Sequence, residues 1–215
     1  MTSPQPYPWQ EADIAKLIAI IERFLVAADL SDPGTGKTWK AIFVARRMGL
    51  KVAVVCPKAI RAAWREVAAK VGVEVVDVVN YERLRTGKSG LGFWYGKRKF
   101  RWTLPEDCLL IVDEVHRCKG EKTQNCRMAM AIRDDGLKAL LLSATAAENP
   151  LHMKALGYLL GLHDGKDFTA WCRAKGCRPG YFGPLEYLGG PEGLAELRRE
   201  LAPRVVRTRI ADLGD

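Results

Sequence analysis

The chain has 215 residues, 48% of them hydrophobic, which allows a substantial core and fits one large domain better than two. Lys and Arg number 34 against 25 Asp and Glu, a net charge of +9 that points to a polyanionic partner, nucleic acid first, with a merely solvated basic surface as the plain alternative. No run reaches the ~20 uninterrupted apolar residues of a membrane helix, and the start, with Pro4, Pro6 and Pro8, lacks a signal-peptide pattern, so the chain reads as soluble and intracellular with no membrane partner.

Residues 1–9 form a lead-in. From 10 to about 27, Ile14, Leu17, Ile18, Ile21 and Leu25 recur at helical steps and predict a helix with one buried face. A glycine-containing turn at 32–36 opens a helix over 38–48. Short β-branched or Leu-rich runs at 51–56, 73–79, 108–112 and 138–142 lack lasting polar alternation, as strands buried on both faces do. Helices are expected between and after them at 58–70, 122–133 and 151–160. The segment 86–102, rich in Gly, Lys, Arg and aromatics, reads as an excursion from the core, and 161–215 as the end of the same single lobe. The alternation predicts an α/β fold, a mostly parallel sheet with helices on both faces, whose ligands bind at the carboxyl ends of the strands.

Three segments carry chemistry. Ser31-Asp-Pro-Gly-Thr-Gly-Lys-Thr38 matches the phosphate-binding P-loop except at its first position, usually Gly or Ala and here Ser31. In that reading Gly34, Thr35 and Gly36 present backbone N–H groups to phosphate, Lys37 reaches the β- and γ-phosphates, and Thr38 offers a hydroxyl to Mg²⁺; the alternative is a Gly-Pro turn with an incidental lysine. The run ending in Asp113 and Glu114 suits a carboxylate that holds Mg²⁺ beside one that polarises the attacking water, or the start of an exposed loop. Ser143 and Thr145 suit sensing of the γ-phosphate, or an ordinary helix cap before Pro150.

Basic candidates for gripping phosphates are Lys58 and Arg61 at a helix start, which otherwise form a solvated face. Lys97, Arg98, Lys99 and Arg101 interleave with Phe93, Trp94, Tyr95, Phe100 and Trp102, either to clamp or stack on nucleic acid or to make a hairpin packed on the domain. Cys172 and Cys177 with Cys118, Cys126 or His116 could make a zinc site, but the spacing is loose and free thiols fit better.

Taken together, Gln10, the turn at Gly34 to Thr38, the Asp-Glu-Val-His box at Asp113 to His116 and Ser143 to Thr145 resemble the Q motif and motifs I, II and III of superfamily 2 helicases. The resemblance implies a RecA-like fold binding ATP and Mg²⁺, with Gln10 reading the adenine edge, Tyr7 or Trp9 flanking the base, and His116 relaying between nucleotide and motif III. Finer features are similar to the Swi/Snf-type translocases. These are Pro57-Lys58 followed by Trp64, the Asn80-Tyr81-Glu82 box with Tyr81 a candidate nucleic-acid contact, the run from Leu142 to Pro150, and the basic segment from Leu201 to Arg209. The departures are Glu66 one place early, Ala146 for the usual Pro, and Asp-Glu-Val-His itself.

The resemblance implies an ATP-dependent motor translocating on double-stranded DNA. The rivals are a strand-separating DNA or RNA helicase and a non-catalytic DNA-binding adaptor that keeps the nucleotide fold. Such motors need a second RecA-like lobe carrying an arginine finger worth roughly 10³ to 10⁵ in rate. The chain has no room for one, so it is expected to bind ATP weakly and hydrolyse it slowly until a longer chain or a partner supplies the other half. Compact motors of this kind resemble those of bacteria and their viruses.

Overall fold

The computed structural model describes residues 4–96, 98–145, 149–181 and 183–213. In chain order the helices are α1 (Pro8–Phe24), α2 (Lys37–Met48), α3 (Arg61–Val71), α4 (Tyr81–Arg85), α5 (Gln124–Asp134), α6 (Lys154–Leu159), α7 (Phe168–Ala174) and α8 (Gly190–Leu201). The strands are β1 (Val26–Asp29), β2 (Lys51–Cys56), β3 (Val75–Asn80), β4 (Gly92–Tyr95), β5 (Lys99–Trp102), β6 (Cys108–Asp113), β7 (Ala139–Leu142), β8 (Cys177–Pro179), β9 (Leu185–Tyr187) and β10 (Val205–Val206).

Among the described residues six strands form one sheet in the order β10-β1-β7-β6-β2-β3, every neighbouring pair parallel. Because side chains alternate across a strand, each run feeds two cores. Val52, Val54 and Cys56 face one core with Leu109, Ile111, Leu140 and Leu142, under α1, α2 and α3. Ala53 and Val55 face the other with Leu110, Val112 and Leu141, under α5, α6 and α8. This two-sided burial is why the runs showed no polar alternation.

The first helix stops short of its expected end. Pro8 begins it and Gln10 closes a capping box with Tyr7, but Leu25 adopts φ 66° and turns the chain into β1. Val26–Asp29 is entirely buried between β7 and β10. Four residues with two alanines in them carry too little pattern to be told from the helix before them. The helix expected from 58 begins as a 3₁₀ turn at Lys58–Ile60, the one expected from 151 as a 3₁₀ turn at Pro150–His152, and the strand expected from 73 runs instead from Val75 to Asn80. The excursion is a hairpin, β4 paired antiparallel with β5. Downstream, Phe168, Cys172 and Cys177 make a small core of their own, α8 buries Leu197 and Leu201 in the main one, and β10 adds the sheet's edge beside β1.

All six cysteines are buried free thiols, and burial pushes those of Cys56, Cys118 and Cys172 up to about 12. Cys118 and Cys126 sit in the main core and Cys172 and Cys177 in the small one, so the zinc grouping is not assembled among the described residues. No helix among those residues is long and apolar enough to cross a membrane.

Candidate functional site

β1 delivers the chain to the phosphate turn. Gly34 (φ 84°) and Gly36 (φ 70°) both take left-handed backbone, and Gly36 opens α2 as its N-cap. The left-handed dihedral at Gly36 favours glycine, and a Cβ there would lie 2.4 Å from Gln10 Nε2 and push that amide aside. Thr35 is buried with its hydroxyl donating to Asp32 O at 2.8 Å. Lys37 Nζ donates to Ser31 O at 2.8 Å and Asp32 O at 2.9 Å, which parks the ammonium on the loop's own carbonyls. Burial lowers its pKa, while Asp29 and then Glu114 pull the charge back up, with Asp113 adding to them. Thr38 follows, half-buried in the first turn of α2.

The acidic pair is at the same level of the sheet. Leu142 on β7 pairs with Asp29 on one side and Asp113 on the other. With strands about 4.8 Å apart, the two aspartates stand roughly 10 Å from each other. Asp113 Oδ2 accepts from Trp64 Nε1 at 3.0 Å and Oδ1 from Glu114 N at 2.9 Å. Desolvation raises the Asp113 carboxyl above the usual range; the Trp64 bond opposes it and the neighbouring Glu114 charge adds to it.

Glu114 adopts φ 56°, a left-handed geometry that costs a non-glycine residue about 1–3 kcal/mol and is usually kept where a side chain must be aimed. Its Oε2 lies 3.1 Å from His116 Nδ1, which is 3.2 Å from Ser143 Oγ, and that hydroxyl accepts from Thr145 N at 3.2 Å. A polar chain therefore joins Glu114 to the end of β7, beside a cavity of about 100 Å³ lined in part by His116, Lys119, Thr145 and His152.

At the other flank of the turn, Gln10 is 3% exposed and its Oε1 accepts from Tyr7 N at 3.1 Å. The Tyr7 and Trp9 rings are stacked, 6.1 Å apart and 3° from parallel. Tyr7 and Gln10 line a cleft of about 330 Å³ with Pro4, Gln5, Trp39 and Phe43. Trp39 and Phe43 were not singled out in the sequence; four apart on α2 and next to the P-loop motif, they share a helix face, which was the signal available.

Two further residues change role. Tyr81, expected at nucleic acid, is 2% exposed, and its hydroxyl donates to Asp113 O at 2.6 Å and Glu114 O at 3.3 Å. Buried behind the acidic pair, it braces the turn at 113 and 114. Trp64, read only as a family marker, is 1% exposed and holds Asp113 directly. A buried Trp must find an acceptor for its indole N–H, but which acceptor is fixed only by folding.

Of the basic candidates, Lys58 is exposed beyond the carboxyl end of β2, while Arg61 Nε donates to Val78 O at 2.9 Å and so also braces β3. The excursion is a hairpin packed on the domain through one face. Trp94, Phe100 and Trp102 pack inward edge to face, and Trp102 Nε1 donates to Met128 O at 3.0 Å. Phe93 and Tyr95 face outward, 47% and 43% exposed, paired across the strands with Arg101 and Lys99. Arg98 is exposed at the tip, Arg101 also meets Asp135 at 3.2 Å, and Lys97 lies outside the described residues.

No protein-family profile matches the chain. A protein of Acanthamoeba polyphaga mimivirus that bears the name of an ATP-dependent RNA helicase is 32% identical over 180 residues, 74% of this chain and 34% of that protein. The SWI/SNF-related matrix-associated actin-dependent regulator of chromatin subfamily A-like protein 1 of Bos taurus is 31% identical over 150 residues, 65% of this chain and 16% of that protein. The chain thus spans about a third of the first relative and a sixth of the second. The solved Sulfolobus solfataricus SWI2/SNF2 ATPase core in complex with dsDNA matches 97% of this chain and 47% of its own length with a TM-score of 0.61 at 15% identity, a likeness of fold. The α/β architecture expected from the alternation of strands and helices is therefore the one observed.

Proposed function

We propose that this chain is an ATP-binding lobe of superfamily 2 of the Swi/Snf type, a reading supported by its motifs, its two relatives and its fold. It binds ATP with Mg²⁺ at the carboxyl ends of β1, β6 and β7 and hydrolyses it as half of a motor that works on nucleic acid. The observation that carries this reading is convergence: Leu142 pairs with Asp29 on one side and Asp113 on the other, so the phosphate turn after β1 and the acidic pair after β6 leave the same edge of the sheet.

The donor set fits the nucleotide. A buried carboxylate whose pKa stays raised despite Lys37 nearby is stabilised by a divalent ion brought to it. Thr38 and Asp113 would hold Mg²⁺, which would supply positive charge to offset the charge developing on the phosphates. Lys37 leaves its two carbonyls for the phosphates, joined by the N–H groups of Gly34, Thr35 and Gly36. Glu114 orients the attacking water and takes its proton. His116, between Glu114 and Ser143, couples the state of that carboxylate to Ser143 and Thr145. The cleft lined by Tyr7 and Gln10 takes the base.

Double-stranded DNA is the preferred track, since the bovine relative is named a regulator of chromatin and the archaeal core was solved with dsDNA. Lys58, Arg61 and the outward hairpin face with Phe93, Tyr95, Arg98, Lys99 and Arg101 are its proposed contacts, with Lys97 alongside. The viral relative's name favours a second reading, strand separation on RNA or DNA. In either case a second RecA-like lobe supplies the arginine finger.

Titration of a fluorescent ATP analogue in Mg²⁺ against this chain tests the site: binding is expected, and Lys37→Ala abolishes it. Unchanged binding by Lys37→Ala would leave the fold as a mere adaptor. For the track, ATPase and strand displacement are measured on a chain that includes the second lobe; stimulation by duplex DNA without unwinding supports translocation, and unwinding without duplex stimulation supports the rival.

A further inference from the structure

An ionic group beneath the phosphate turn takes no part in those roles. Lys40 of α2 is fully buried, its Nζ 2.8 Å from Asp13 Oδ2 on α1, 2.8 Å from Asp29 Oδ2 at the end of β1 and 3.2 Å from Ser31 Oγ. Asp13 and Ser31 accept hydrogen bonds, while Asp29 makes an ion pair without hydrogen-bond alignment. Apolar side chains can join helix to sheet without the cost of desolvating an ammonium. What this group adds is a directed grip on one hydroxyl.

That hydroxyl belongs to Ser31, the position where the turn departs from the usual Gly or Ala. It also accepts from Thr208 N at 2.9 Å, and Thr208 Oγ1 donates to Asp13 Oδ2 at 2.6 Å, so the same residue meets both the turn and its ionic base. Asp32 N donates to Thr208 O at 3.0 Å and Ile210 N to Asp32 Oδ2 at 3.2 Å. The segment 207–212, continuing from β10, thus runs as a strap along the turn and bonds to Ser31 and Asp32 in succession. These are the two residues whose carbonyls hold Lys37.

We propose that Lys40, Ser31 and Thr208 are positioning residues of the nucleotide site. The buried ion group fixes the Ser31 hydroxyl, the hydroxyl fixes Thr208, and Thr208 sets the two carbonyls on which Lys37 rests until phosphate takes it. The strap 207–212 is then energetically coupled to nucleotide. This rests on the ATP-binding reading above. Coupling between two sites is reciprocal, so Mg·ATP acts on the strap as the strap acts on Mg·ATP.

The test uses the 215-residue chain, a fluorescent ATP analogue in Mg²⁺, and amide hydrogen exchange of residues 207–212 with and without ATP. Ser31→Ala restores a residue usual at that position and should fold. It is expected to weaken nucleotide binding about five- to tenfold, the scale of one or two lost hydrogen bonds. Thr208→Val should weaken binding similarly and Thr208→Ser should restore it, which general loosening of the fold would not produce. Saturating Mg·ATP should slow exchange at Thr208 and Ile210 in the unaltered chain and less so in Ser31→Ala. If the unaltered chain binds nucleotide but Ser31→Ala and Thr208→Val bind it equally well, or the strap's exchange ignores Mg·ATP, the coupling is overturned while the ATP reading stands. If the unaltered chain fails to bind, both fall.

Discussion

Two aspartates end strands of the same sheet at the same height, on either side of β7, and they live differently. Asp29 faces the ammonium of Lys40, a partner built into the fold. Asp113 has a neutral indole N–H and a backbone N–H, and burial together with the neighbouring Glu114 charge raises its carboxyl, which Lys37 and the Trp64 bond offset only in part. Register and residue type are shared, so the division of labour comes from the partner: an anion held in an ion pair of the fold is architecture, and one without such a pair among the described residues is a place for a ligand.

The largest effect that could break this comparison is at Lys40. Lys40→Met strands the buried Asp29, and the half-buried Asp13 beside it, and should cost about 3–5 kcal/mol of stability in chemical denaturation. Asp113→Ala should cost less than that, yet remove the Mg²⁺ dependence of ATP binding, which Lys40→Met in any folded fraction retains. Equal losses of stability at both sites would mean that Asp113 too is structural. Next, Glu114→Gln should keep ATP binding and lower single-turnover phosphate release about 10²- to 10⁴-fold, the usual worth of a general base.

A smaller effect follows from the direction of the Asp113 shift. A carboxyl whose folded pKa is raised favours the fold at low pH and loses that contribution as pH rises through the folded value. It must be ionised to hold Mg²⁺, so Mg·ATP binding should fall away on acidification at a pH above the roughly 3.9 of an ordinary aspartate. Trp64→Phe removes the bond that holds the carboxyl down and should move that fall to higher pH still, readable in a binding titration from pH 8 to about 4. The smallest effect is expected at Tyr81→Phe, about 0.5–1.5 kcal/mol of stability for the hydrogen bond to Asp113 O, with nucleic-acid affinity unchanged. A marked loss of nucleic-acid binding there would restore Tyr81 to the track.

Much of the fold was legible because buried parallel strands are apolar on both sides. The runs ending at Cys56, Asp113 and Leu142 stand out for that reason, and the phosphate turn for its glycines. The elements that escaped are those with little periodicity to show. Among them, β1 has four residues and β10 two, yet these flank the phosphate turn and bring the strap to it. The hairpin could be read only as two possibilities because its residues alternate: Phe100 and Trp102 inward, Lys99 and Arg101 outward.

The amino-acid order by itself determined which side chains can do phosphate chemistry, since a turn with Gly34, Gly36 and Lys37 and a strand ending in two carboxylates are local patterns that short-range sterics and burial impose. Only tertiary structure decided their partners. Trp64 lies 49 residues from Asp113 and Thr208 lies 177 from Ser31, and no local rule relates residues so distant. Packing two cores against one sheet brings them within hydrogen-bond reach, and in the low dielectric between those cores each polar group must take the partner that the fold places beside it.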